Sequence, residues 1–162
     1  MAIKFNADEI FEMAIQAESN AYKMYSDLAK KHVDPVVSAE LMKMAEMEKS
    51  HENIFIKMRK ELPEDMRTAT FNPDEDATLY LQAVADAEVG EGSPEVAKSM
   101  SGRESFEDVL KMAIGLEKQA ILFYLGIRDL VPERLGKDKV EHVIKEEQSH
   151  VVLLTNRLNS LK

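Results

Sequence analysis

Residues 48–55 (EKSHENIF) and 147–154 (EQSHVVLL) each set a glutamate and a histidine at Glu-x-x-His spacing inside an otherwise apolar helical stripe. A single offset of 99 residues relates them, laying Glu48, Ser50 and His51 on Glu147, Ser149 and His150. The same shift aligns FEMAIQAESNAYKMY, starting at Phe11, with LKMAIGLEKQAILFY, starting at Leu110. It superposes Met13 on Met112, Ala14 on Ala113, Ile15 on Ile114, Glu18 on Glu117, Ala21 on Ala120 and Tyr25 on Tyr124. One offset that fits two pairs of helices implies a duplicated helical hairpin, and therefore an approximate two-fold axis with matching residues facing each other across it.

Local signals place the helices. Asn6 with Glu9 forms a capping-box variant that opens a helix over roughly 8 to 31. Asp34 and Pro35 open a second as N-cap and first-turn residues, which runs to about Lys60 and stops before Pro63. Ser105 caps a third, with Glu107 and Asp108 favourably placed in its first turn, and Pro132 ends it. The fourth covers roughly 137 to 160, with Gly136 near its start. The fold class expected is all-α: a four-helix bundle of two hairpins, 8–60 and 105–160, within a single domain spanning 1–162. The intervening segment, 61–104, holds Pro63, Pro73, Gly90, Gly92 and Pro94 and is too long for a bundle hairpin. A short helix is expected within it near Asp76 to Glu88, which suits one long crossover joining helices on opposite sides of the bundle.

Reading each helix at alternating spacings of three and four gives the stripe that faces the bundle centre. It runs Phe11, Ala14, Glu18, Ala21, Tyr25, Leu28 on the first helix and Val37, Leu41, Met44, Glu48, His51, Phe55, Met58 on the second. On the third it runs Phe106, Leu110, Ala113, Glu117, Ala120, Tyr124, Ile127, and on the fourth Val140, Val143, Glu147, His150, Leu154. Apart from Tyr25 and Tyr124, the polar intruders are four glutamates and two histidines, all at middle levels. A buried, unpaired carboxylate costs several kcal/mol or shifts its pKa until it is neutral, and four together repel one another. Two divalent cations would compensate four carboxylates, and two neutral imidazoles complete a nitrogen and oxygen donor set suited to iron or manganese. The candidate metal ligands are thus Glu18, Glu48, His51, Glu117, Glu147 and His150. Glu46 and Glu146 neighbour the inner positions of the ligand helices and Glu52 and Glu88 are reserve ligands, all four read as exposed charges, and His32 and His142 are read as surface residues. The ten methionines are read as fillers of core gaps.

Composition narrows the partners. With 30 acidic against 21 basic residues the formal charge is -9, which argues against nucleic acid and leaves no polybasic surface for an anionic membrane. The chain has no cysteine, so these residues hold no thiolate zinc site, iron–sulfur cluster or rubredoxin-type centre. No segment approaches the length of a bilayer-spanning helix and the N-terminus shows no signal-peptide pattern, so a cytoplasmic location is expected.

At the six ligand candidates the chain resembles the rubrerythrin-like branch of the ferritin-like di-iron superfamily, whose pattern is a Glu from each of two helices and Glu-x-x-His from each of two others. The resemblance covers both hairpins and not the crossover. It implies that Glu48 and Glu147 bridge two iron ions, that Glu18 and Glu117 are terminal ligands, and that His51 and His150 each bind one metal. Tyr25 and Tyr124 are similar to the tyrosines that lie just behind such ligands, and read equally well as amphipathic core residues. Two features depart from the family: no rubredoxin domain is present in these residues, and Ile114 stands where rubrerythrins tend to carry a further glutamate.

The activity implied is reduction of hydrogen peroxide or dioxygen by a di-iron oxidoreductase, with electrons from an external donor such as a rubredoxin-type protein and a role in oxidative-stress defence. The alternatives are an iron-binding ferroxidase or storage protein, and a di-manganese, catalase-like centre; a mixed-metal site uses the same donors. A homodimer is what the resemblance suggests.

Overall fold

A computed structural model describes residues 6–68, 76–77, 79–80, 83 and 94–162 of the chain. Four long helices carry the structure: α1 (Ala7–Lys31), α2 (Pro35–Lys60), α5 (Phe106–Leu130) and α6 (Lys137–Asn159). Two short ones, α3 (Glu64–Thr68) and α4 (Pro94–Ser99), lie in the connection between the hairpins. No strand occurs among the described residues.

The ends of the helices follow their capping chemistry. Asn6 accepts from the Glu9 amide at 2.8 Å while the Glu9 carboxylate accepts from the Asn6 amide at 3.0 Å, a reciprocal box that satisfies two otherwise orphaned donors. The Asp34 side chain accepts from the Val36 amide at 2.8 Å with Pro35 in the first turn, and Ser105 accepts from Asp108 at 3.1 Å. Gly136 settles the start of α6: a short 3₁₀ turn, Glu133–Leu135, precedes it, and Gly136 takes φ +103°, a left-handed conformation that disfavours any residue with a Cβ.

The core is built in two apolar clusters. One gathers Phe11 and Ala14 of α1, Phe55 and Met58 of α2, Tyr124 and Ile127 of α5, and Val140 and Val143 of α6. The other gathers Met24 and Leu28 of α1, Leu41 and Met44 of α2, Leu110 and Leu116 of α5, and Leu154 of α6. Because α1 and α6 enter the first cluster at their N-terminal halves while α2 and α5 enter it at their C-terminal halves, α2 and α5 run parallel to each other and antiparallel to α1 and α6. That direction pattern needs one long crossover between α2 and α5, as the length of 61–104 leads one to expect.

Parts of the crossover dock on the helices. Arg67 of α3 donates to the carbonyls of Arg59 and Lys60 at 3.1 and 3.3 Å, satisfying the last turn of α2. Of the short helix expected over 76–88, residues 76, 77, 79, 80 and 83 are described and are helical, and the remainder lies outside the described residues. The Tyr80 hydroxyl donates to the Leu122 carbonyl of α5 at 3.0 Å. Helix α4 and the turn after it meet the end of α1, where the Lys31 ammonium donates to the carbonyls of Ala97 and Met100. His32, expected on the surface, is half-buried instead: it accepts from the Asp34 amide at Nδ1 (3.1 Å), so its neutral ring carries the proton on Nε2 and donates to the Glu104 carbonyl at 3.0 Å.

Candidate metal centre

Between the two apolar clusters lies a polar layer to which every long helix contributes. Glu18 comes from α1, Glu48 and His51 from α2, Glu117 from α5, and Glu147 and His150 from α6. The i, i+3 spacing puts the carboxylate and the ring of α2 on one face, and likewise those of α6. The donor atoms fall into two groups, Glu18, Glu48, His51, Glu147 and Glu48, Glu117, Glu147, His150, and within each group they lie within 4.8 Å of one another. Glu48 and Glu147 belong to both. All six sequence candidates are therefore brought together, with the two Glu-x-x-His carboxylates shared and the other residues divided evenly.

Ring positions follow the symmetry in part. His51 Nδ1 lies 2.7 Å from Glu147 and 3.6 Å from both Glu18 and Glu48, and His150 Nδ1 lies 3.2 Å from Glu147 and 3.7 Å from Glu117. The two imidazoles stack with centroids 5.5 Å apart and planes 17° from parallel. Tyr124 also reaches the layer, its hydroxyl donating to Glu18 Oε1 while its ring stacks on Phe55 at 5.4 Å. Tyr25 is fully buried in the second apolar cluster.

The electrostatics are those of a site short of positive charge. Glu48, Glu117 and Glu147 are 0% exposed, and no hydrogen-bond donor reaches either oxygen of Glu48 or of Glu117 among the described residues. Burial pushes the Glu48 carboxyl well above the ordinary carboxylate range, with His51 opposing and the charges of Glu147, Glu18 and Glu117 adding to the rise. Burial likewise takes Glu117 up to about 8 against the pull of His150. For Glu147 burial acts upward too, but contacts with His150, His51 and Glu117 outweigh it and hold this carboxyl below the ordinary range. Burial would lower both imidazoles, yet Glu117 and Glu147 raise His150 to about 10, and Glu147, Glu18 and Glu48 raise His51. Without a cation, the layer would compensate its carboxylates by retaining protons. Four buried carboxylates, three of them (Glu48, Glu117 and Glu147) with orphaned oxygens among the described residues, and two ring nitrogens turned inward fit a pair of divalent cations, which would replace those protons.

The four glutamates outside the ligand set divide. Glu46 is exposed, as expected, and Glu88 lies outside the described residues. Glu52 is buried rather than exposed, and its carboxylate pairs with Lys49 at 2.5 Å; it joins neither donor group. Glu146 is half-buried, and one of its oxygens lies 2.9 Å from His51 Nε2 while the other lies 3.1 Å from His142 Nε2. Sequence reasoning missed that contact. Its only trace in the sequence is the i, i+4 spacing of His142 and Glu146, since the partner on α2 is set by how α6 packs.

Comparison with known proteins adds to this geometry. The family model described as rubrerythrin matches residues 9–100, more than half of the chain. The chain belongs to the rubrerythrin family. A solved structure from Thermotoga maritima, described as that of a ferritin-like diiron-carboxylate protein, superposes on this rubrerythrin-family chain with a TM-score of 0.65 over 98% of each chain at 18% sequence identity. At that identity the likeness establishes a ferritin-like fold. No curated protein matches the chain. This member of the rubrerythrin family shows no rubredoxin domain in its 162 residues, which contain no cysteine, and no described helix is long and apolar enough to cross a membrane.

Proposed function

We infer that the protein is a di-iron carboxylate oxidoreductase that reduces hydrogen peroxide or dioxygen with electrons from an external donor such as a rubredoxin-type protein. The observation that carries this reading is the pair of donor groups sharing Glu48 and Glu147 in one buried layer. Glu48 and Glu147 would each serve both ions, Glu18 with His51 one of them, and Glu117 with His150 the other. When bound, two ferrous ions supply the two electrons that convert peroxide and two protons to two waters, and act as Lewis acids toward the oxidant.

The chain's own residues do the rest. Tyr124 donates to Glu18 and so fixes the direction of that carboxylate. The apolar clusters on either side, with Phe55, Tyr124 and Leu116 fully or nearly fully buried, keep bulk water from the layer. His150 is the one member of the six with appreciable exposure, its side chain at 13%, which makes its side the approach for a small oxidant. A cytoplasmic homodimer is the setting proposed, consistent with a net charge of -9 that disfavours nucleic acid and anionic membranes.

The test is anaerobic loading with ferrous iron, elemental analysis, then rapid mixing with one equivalent of peroxide. The reading expects close to two irons per chain, oxidation faster than that of free ferrous iron, and return to the ferrous state on adding a reduced rubredoxin-type donor. Uptake of hundreds of irons per particle would replace it with a storage role. Manganese as the metal retained through purification, with peroxide disproportionated and no donor needed, would replace it with a catalase-like role.

A further inference from the structure

Each of the six members of the layer has a counterpart of the same type at the 99-residue offset. Among the neighbours that differ between the halves, one touches the layer. Glu146 stands on α6 where the first half of the chain has Met47 on α2. Its carboxylate holds the distal nitrogen of His51, Nε2, at 2.9 Å, across the interface between α6 and α2. His51 is therefore gripped at both ring nitrogens, Nδ1 facing Glu147 at 2.7 Å and Nε2 facing Glu146. His150 faces Glu147 and Glu117 through Nδ1, and no carboxylate meets its Nε2 among the described residues. Its side chain is 13% exposed against 2% for His51.

We propose that Glu146 is a positioning residue for His51 that makes the two metal positions unequal, the ion held by Glu18 and His51 being bound more tightly than the ion held by Glu117 and His150. This rests on the two-metal reading above. A carboxylate accepting a hydrogen bond from Nε2–H fixes the tautomer whose Nδ1 lone pair points into the layer, and it raises the basicity of that nitrogen. The thioether of Met47 offers the second histidine neither effect. The greater exposure of His150 adds competition from water on the same side. Loss of such an outer partner costs about 10- to 100-fold in metal affinity. The duplication therefore leaves one tight and one exchangeable site.

The test is a cobalt(II) titration of the full-length, metal-free chain against a competing chelator, followed by visible absorption, for the wild type, Glu146→Met, Glu146→Gln, Met47→Glu and His142→Ala. The wild type should take up two ions in two resolved steps. Glu146→Met, which gives both halves the same residue, should weaken the tighter step by about 10- to 100-fold and bring it level with the other. Glu146→Gln, which keeps an acceptor without the charge, should weaken it less. Met47→Glu should tighten the weaker step, and His142→Ala should leave both within about threefold of wild type. Loss of the slowly exchanging His51 Nε2 proton signal in Glu146→Met, with an unchanged melting temperature of the metal-free chain, separates positioning from folding. Two ions bound with equal affinity by the wild type, or equal weakening of both steps in Glu146→Met, would overturn the proposal while leaving the metal centre standing. No cobalt uptake would overturn the metal centre itself, and the proposal with it.

Discussion

Glu117 is fully buried, lacks a hydrogen-bond donor at either oxygen among the described residues, and has its pKa taken up to about 8 first by burial. In the proposed metal centre such a residue would serve binding at the cost of stability. Glu117→Gln removes the charge while keeping the shape, so at pH 8 the metal-free variant should be more stable than the metal-free wild type by on the order of 1 kcal/mol or more, read as a higher melting temperature. The same variant should lose one of the two ions. Glu48→Ala should lose more, because Glu48 belongs to both donor groups; elemental analysis after loading should find fewer than two ions per chain, and none if the shared carboxylate organises both positions.

Among the elements, the turn from α4 into α5 sets how the second hairpin meets the first. Gly102 sits at φ +81°, and a Cβ there would lie 2.4 Å from the Lys31 carbonyl oxygen at the end of α1. Both the left-handed conformation and the backbone contact oppose a side chain, so Gly102→Ala should destabilise by about 2 kcal/mol or more in chemical denaturation. Glu104 closes the same turn. Burial acts to raise its carboxyl, but bonds from the Ser101 hydroxyl and from the amides of Ser101, Glu104 and Gly102 bring it down to about 2. The folded pKa lies below the ordinary 4.5, so the ionised form contributes stability that is present above pH 4.5 and is lost as pH falls toward 2. The gap in melting temperature between wild type and Glu104→Gln should therefore be open at pH 6 and close progressively below pH 4.5.

For the molecule as a whole, the proposed metal and pH would act on one balance. Without metal, Glu117 titrates near 8 against an ordinary 4.5, and His150 near 10 against 6.5. Both folded values are raised, so the stability these groups contribute is complete below their unfolded values and is lost as pH rises through the folded ones. The metal-free protein should accordingly lose stability steadily from about pH 5 to pH 10. Cations displace the retained protons, so loading should flatten this slope and release protons measurable in weakly buffered solution at pH 7. Chelation should lower the melting temperature most at alkaline pH, and a curve unchanged by verified metal removal would count against a buried site.

Much of this was legible in the chain itself. The helix limits follow from caps and prolines, since Asn6, Asp34 and Ser105 bond to amides only two or three residues away and such chemistry is local. The inward position of the six donors follows from helical periodicity, and their pairing from the duplication, because neither depends on knowing where another helix lies. Contacts across helices were not legible: Glu146 on His51, His32 on Glu104 and Gly102 against Lys31 all join residues from separate segments, and their distances depend on the crossing and rotation of packed helices. Periodicity fixes the face on which a residue lies, so the sequence alone determined which residues enter the centre. Only packing fixes the height and tilt at which faces meet, and so tertiary structure alone decided which outer carboxylate grips which ring and thereby made two duplicated halves unequal.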